Sequence, residues 1–217
     1  MPLLVIPYRD DHGRIQACQF RLHRNDIALR EKKYRWLACP FASRGPSSGT
    51  PIHFTFKPET LPPGQTVIIT EGALKAQTLV SLRPKARVIA TSGVSCSHPE
   101  IIEAARSYNV LIAFDADYKT NSAVARQLAR LIAAREQDVA NHQLSTSTRI
   151  ICWRRYQGID DAVLAKIALE TMTILQWTST LEGKPLQEVR GGWDQMRYTP
   201  TPAGAWGFEP QTRCVGM

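Results

Sequence analysis

Glu71, Asp115, Asp117, Asp160 and Asp161 stand out in this 217-residue sequence as side chains whose type and spacing suit chemistry. They fall in three short pieces: Val-Ile-Ile-Thr-Glu-Gly from Val67 to Gly72, Leu-Ile-Ala-Phe-Asp-Ala-Asp from Leu111 to Asp117, and Gly158-Ile159-Asp160-Asp161. The first two place acids directly after apolar runs with the length and β-branched content of buried parallel strands. Acidic groups at the carboxyl ends of such strands meet in one crevice, where open α/β sheets bind ligands. Carboxylates crowded there repel one another until something cationic neutralises them. A divalent metal with oxygen ligands is the expected neutraliser, magnesium first and manganese as a substitute.

Each acid also has a plainer reading. Glu71 precedes Gly72, where the chain turns tightly into a helix, so it faces the crevice or simply favours the helix dipole. Asp115 and Asp117 are two apart, and strand alternation would put both on one side with Ala116 pointing away. Two such carboxylates can share one metal or bridge two, as phosphodiester chemistry requires; an acidic turn capping the next helix is the alternative. Asp160 and Asp161 join the metal site or cap the helix that follows. Lys75 reaches a phosphate in the crevice or forms an i,i+4 pair with Glu71, the arrangement helical spacing favours. Thr91-Ser92-Gly93-Val94-Ser95 offers amides and hydroxyls to a phosphate, although a plain turn explains it as well.

The elements that must position these groups are legible around them. Leu3 to Tyr8 reads as a strand, Asp10-Asp11-His12-Gly13 as a hairpin turn and Arg14 to Leu22 as its return. Short β pieces at Tyr34 to Leu37 and Ile52 to Phe56 flank a Ser, Gly and Pro-rich loop, and Leu61-Pro62-Pro63-Gly64 marks a boundary. Strands at Val67 to Thr70, Arg87 to Ala90, Val110 to Phe114 and Arg149 to Trp153 then alternate with helices. These helices run from Ala73 to Leu82, Pro99 to Tyr108 and Asn121 to Val139, with a short one at Asp161 to Thr171. The fold class expected is α/β, a parallel sheet with flanking helices behind a small, mainly β, basic lobe. The lobe occupies 1–60, the α/β domain 66–175, and a loosely ordered tail rich in Gly and Pro 176–217.

Composition narrows the partners. A hydrophobic fraction of 43% and a charged fraction of 21% suit a globular protein, and no apolar run approaches the roughly 20 residues of a membrane span. The N-terminus lacks the basic start of a signal peptide, so a cytoplasmic location is expected. The five cysteines include no Cys-x-x-Cys pair, and Cys96 with His98 reads as a loop thiol beside a surface imidazole. A net charge of +8 points to a polyanion. Arg21, Arg24, Arg30, Lys32, Lys33 and Arg35 cluster with Tyr34 and Trp36, as contacts to single-stranded nucleic acid would require or as a solvated hairpin would show.

Glu71-Gly72, then Gly93, then Asp115-x-Asp117 resembles the Toprim domain shared by bacterial primases, topoisomerases, overcoming-lysogenization-defect nucleases and recombination-mediator proteins. The likeness covers Val67 to Ala165, and Gly158-Ile159-Asp160-Asp161 is similar to the late acidic motif of primases. Ile6-Pro7-Tyr8-Arg9-Asp10-Asp11-His12-Gly13-Arg14-Ile15 and Lys33-Tyr34 resemble the basic lobe preceding Toprim in bacterial primase. Ile69-Thr70-Glu71-Gly72-Ala73-Leu74-Lys75-Ala76 is most similar to divergent Toprim-like domains of plasmid, phage and mobile-element replication proteins. The resemblance implies a Toprim-like, Rossmann-like fold and a magnesium-dependent, primase-like nucleotidyltransferase acting on DNA in replication. Glu71, Asp115 and Asp117 would be catalytic and, with Asp160 and Asp161, hold metal. Arg9, Arg21, Lys32, Lys33, Arg35, Lys75 and Lys119 would contact template or nucleoside triphosphate, with a helicase or other replication protein as partner. The resemblance extends to neither the zinc-binding module nor the helicase-binding domain of a full primase, and Ser47-Ser48-Gly49 stands where the His-Lys-Gly step is expected. A Toprim nuclease and a non-catalytic nucleic-acid-binding accessory protein are the alternatives.

Overall fold

The computed structural model describes residues 4–21, 34–37 and 50–196. It forms two sheets. Strands β1 (Leu4–Arg9), β2 (Ile15–Arg21) and β3 (Tyr34–Trp36) make a small antiparallel sheet. The larger sheet contains β4 (His53–Phe54), β5 (Thr66–Glu71), β6 (Val88–Thr91), β7 (Asn109–Ala113), β8 (Thr148–Cys152) and β9 (Glu170–Met172), in the order β4-β6-β5-β7-β8-β9. The central four strands are parallel, and β4 and β9 close the edges antiparallel. Both faces of the parallel strands are covered, which explains their unbroken apolar runs.

Helices α1 (Ala73–Leu82) and α4 (Ile159–Leu164) cover one face, where Ala76, Leu79, Val88, Ile151 and Ile159 form a compact core. A larger core on the other face joins Ile69, Ile112, Leu128 and Ile150 to α2 (His98–Ala105), α3 (Ser122–Asn141), α5 (Ile174–Ser179) and α6 (Gly183–Met196). Asn121 caps α3 as expected, its side chain accepting from the amides of Ala123 at 3.1 Å and Val124 at 3.4 Å.

Three expectations need correction. The tail expected to be loose from 176 holds the end of α5 and all of α6, with Trp177 and Trp193 buried in the larger core; 197–217 lie outside the described residues. Its glycines Gly191 and Gly192 misled, and Pro185 sits in the first turn of α6, where its missing N–H costs nothing. The helix expected over Asp161 to Thr171 stops at Leu164, and β9 follows. Within the lobe expected over 1–60, His53 and Phe54 pair with β6, so that segment belongs to the larger sheet.

The small sheet docks on the larger domain through β1. Buried Tyr8 stacks edge-on against Trp36 and His53, and its hydroxyl accepts from the Ala73 amide at 3.5 Å. The Arg9 amide donates to His53 Nδ1 at 2.9 Å. Burial keeps His53 neutral by lowering its pKa to about 4, and raises that of Tyr8 to about 12.

Candidate active site

Parallel strands β5 and β7 are neighbours, and the chain leaves their carboxyl ends in adjacent turns. Glu71 is the last residue of β5. Gly72 follows with φ of 79°, a conformation only glycine adopts cheaply, and turns the chain into α1. Asp115 comes two residues after β7, and its amide donates to Glu71 Oε1 at 3.3 Å. A crevice of about 520 Å3 opens there between the large domain and the small sheet. Glu71, Lys75, Asp115, Asp160 and Asp161 line one wall, and Gln19, Arg21 and Tyr34 of β2 and β3 line the other.

Lys75 does not pair with Glu71. Its Nζ forms an ion pair with the Asp115 carboxylate, 40 residues away in sequence, and helical spacing gave no sign of this. Gly158 makes room for the pair: a Cβ there would lie 3.4 Å from Lys75 Cε and collide with Asp160 Oδ1. Asp160 and Asp161 do not cap α4, whose N-cap is Gly158 with no side-chain bond; they face the crevice from its first turn.

Strand alternation fails for Asp117. The strand ends at Ala113, and Asp117 lies in a 3-10 turn spanning Ala116–Lys119, so its position is set by helical geometry. It is not on the crevice wall, and its Oδ1 is buried without a hydrogen-bond partner. Burial, followed by the charge of Asp115, raises its pKa. The same causes in the same order push Glu71 up to about 7, against a lowering by Lys75. Glu71 is therefore poised to take or release a proton near neutrality.

The expected cations divide. Arg21 and Lys75 line the crevice, whereas Arg9, Arg35 and Lys119 do not. Arg9 Nη1 is bound to the Gly13 carbonyl in the hairpin turn at 2.9 Å, and Lys119 Nζ lies 6.0 Å from the Tyr118 ring centroid. Lys32 and Lys33 lie outside the described residues. Ser92, from the segment expected to offer hydroxyls and amides, lines the crevice; Gln19 and Gln157 were missed by sequence reading, since their polar type alone carries no signal before the sheet order is known.

Among the described residues no three His, Cys, Asp or Glu side chains converge as they do around a bound ion. The donor chemistry nevertheless fits a hard cation: every acidic group here is a carboxylate, and Asp117 Oδ1 and Asp160 Oδ1 are buried with no partner. Lys75 supplies the neutralising charge in this conformation.

A mostly parallel sheet flanked by helices, with acids at its carboxyl edge, places the chain among mixed α/β folds similar to the catalytic cores of Toprim-type DNA primases. A DNA primase domain from Pseudomonas aeruginosa is similar with a TM-score of 0.53 at 18% identity, over 76% of this chain and 48% of that one. The DnaG catalytic core gives 0.52 at 15% identity over 93% and 60%. The DnaG primase catalytic domain bound to ssDNA gives 0.51 at 16% identity over 89% and 51%. The chain thus spans about half to three-fifths of the length of these neighbours. No protein-family model and no curated protein matches the sequence.

Proposed function

We propose that this chain is a primase-like nucleotidyltransferase that joins ribonucleotides on a single-stranded DNA template during replication of a plasmid or other mobile element. One observation carries the reading: a single crevice has carboxylates on one wall and Arg21 with Tyr34 on the other, in a fold similar to primase cores. Phosphates need cations and a neutralised acid cluster, and bases need a flat aromatic surface.

In this reading Arg21 holds a triphosphate oxygen with its planar fork, and Tyr34 offers a ring to a template base. Glu71 accepts the proton of the attacking ribose hydroxyl as that oxygen bonds to the α-phosphorus, and the bond to the β-phosphate breaks to release pyrophosphate. Magnesium, or manganese in its place, would be held by Glu71, Asp115 and Asp117 with Asp160 and Asp161 beside them, and would neutralise the phosphate oxygens. Lys75 then leaves Asp115 and turns to the triphosphate. A helicase or another replication protein is the proposed partner, and the cytoplasm the proposed location; among the described residues no helix is long and apolar enough to cross a membrane.

The test is RNA synthesis on single-stranded DNA with ribonucleoside triphosphates and magnesium, comparing wild type with Asp115→Ala. Wild type is expected to make short RNA and the variant none. Undiminished synthesis by the variant overturns the site. A second reading, a non-catalytic nucleic-acid-binding accessory module, is favoured by the Lys75–Asp115 pair, which neutralises the site without metal. It predicts DNA binding that survives chelation and loss of Asp117.

A further inference from the structure

Helices α3 and α6 enclose a groove of about 430 Å3 that shares no lining residue with the crevice. Arg126 and Arg130 of α3 and Lys184 of α6 give it three cations, against the single carboxylate of Glu188. Arg126 Nη1 donates to Glu188 Oε2 at 3.3 Å, but its Nε is buried with no acceptor. A buried donor left unpaired is costly, and it marks a place where an acceptor from outside would be welcome. Among the described residues nothing pairs with the side chain of Arg130 or Lys184.

Gly191 and Gly192 also line the groove, adjacent in the interior of α6. Glycine there weakens a helix, and tight packing of the neighbouring helix is the usual reason to keep it. Here a Cβ at either position would meet nothing within 4 Å. Both glycines leave space unfilled, and Gly191, exposed where Gly192 is buried, leaves bare backbone open to a ligand.

We propose that this groove binds the phosphate groups of single-stranded nucleic acid. Exposed Arg130 can take a phosphate bidentately, and Arg126, one turn away on the same helix face, adds a second guanidinium that Glu188 holds through Nη1 alone. The amides of Gln187 and Gln195 add neutral donors along the same wall. Every residue lining the groove is charged, amide-bearing or glycine, and none is an aromatic or aliphatic side chain. The proposal does not depend on the chemistry of the crevice.

Fluorescence anisotropy of a labelled oligothymidylate, followed against salt, tests it. The pair Arg126→Gln with Arg130→Gln should weaken binding about tenfold and flatten the log affinity against log salt slope by about 1.4, two phosphates at roughly 0.7 each for a single strand. Because Arg126 also ties α3 to Glu188, Gly191→Ala serves as a second variant. It should raise the melting temperature yet weaken oligonucleotide binding several-fold, opposite signs that misfolding cannot produce. An unchanged salt slope in the first variant, or unchanged affinity in the second, overturns the proposal. So does a polyglutamate peptide that binds with the same dependence on Arg126 and Arg130.

Discussion

The two faces of the large sheet are covered unequally. One carries α2, α3, α5 and α6 over a broad core in which Trp177 stacks edge-on with Tyr118 and Trp193, centroids 5.8 and 6.3 Å apart. The other carries α1 and α4 over a smaller core of Ala76, Leu79 and Ile159, and its helices begin at the acid-lined crevice. Unpartnered carboxylate oxygens cost stability. The crevice and its margin hold two, Asp117 Oδ1 and Asp160 Oδ1, beside a Glu71 with a raised pKa, and Glu136 on the other face leaves both of its own oxygens without a partner. What separates the faces is that the thick one buries the larger apolar core, whereas the thin one turns its acids to the crevice.

Substitutions on the two faces should therefore separate stability from activity. Trp177→Ala, at 0% exposure in the thick core, should cost about 3 to 5 kcal/mol in urea unfolding while RNA synthesis per folded molecule persists. Equal loss of synthesis would break the division.

Next in size are two glutamates, one on each side, Glu136 buried and Glu71 half-buried. Burial pushes Glu136, on α3, up to about 7, as it does Glu71. A carboxyl whose folded pKa is raised favours folding when protonated. That contribution is full below about pH 4.5 and is lost as pH rises through about 7. Glu136→Gln and Glu71→Gln, measured without metal, should each match wild type near pH 4 and exceed it by about 3 kcal/mol at pH 8. Only Glu71→Gln should lose RNA synthesis. If Glu136→Gln lost it too, the thick face would not be a mere support.

The smallest effect sharpens the thin face itself. Lys75→Met removes the internal cation from Asp115 and should tighten manganese binding about tenfold in an electron paramagnetic resonance titration, about 1.4 kcal/mol. Unchanged affinity would mean that Lys75 and metal do not compete.

The strands that end in Glu71 and precede Asp115 were readable because buried parallel strands are continuous apolar runs, and Gly72 marked the turn. Asn121 announced α3 by its type and place. Four other features were not readable. Asp117 left the strand pattern because β7 stops at Ala113, which only the fold decides. The partner of Lys75 lies across two strands, beyond any local spacing rule. Helix α6 was obscured by Gly191 and Gly192, whose cost is met by the burial of Val189 and Trp193 against α3, not by propensity. Arg9 and Lys119 had the right charge, but the hairpin turn and the Tyr118 ring hold them off the crevice wall.

The most direct measurement follows a labelled single-stranded DNA template and labelled ribonucleoside triphosphates together in one magnesium-containing reaction. A nucleotidyltransferase crevice predicts short RNA products over an intact template, dependent on Asp115. Template shortening, or firm template binding with no RNA made, would contradict it.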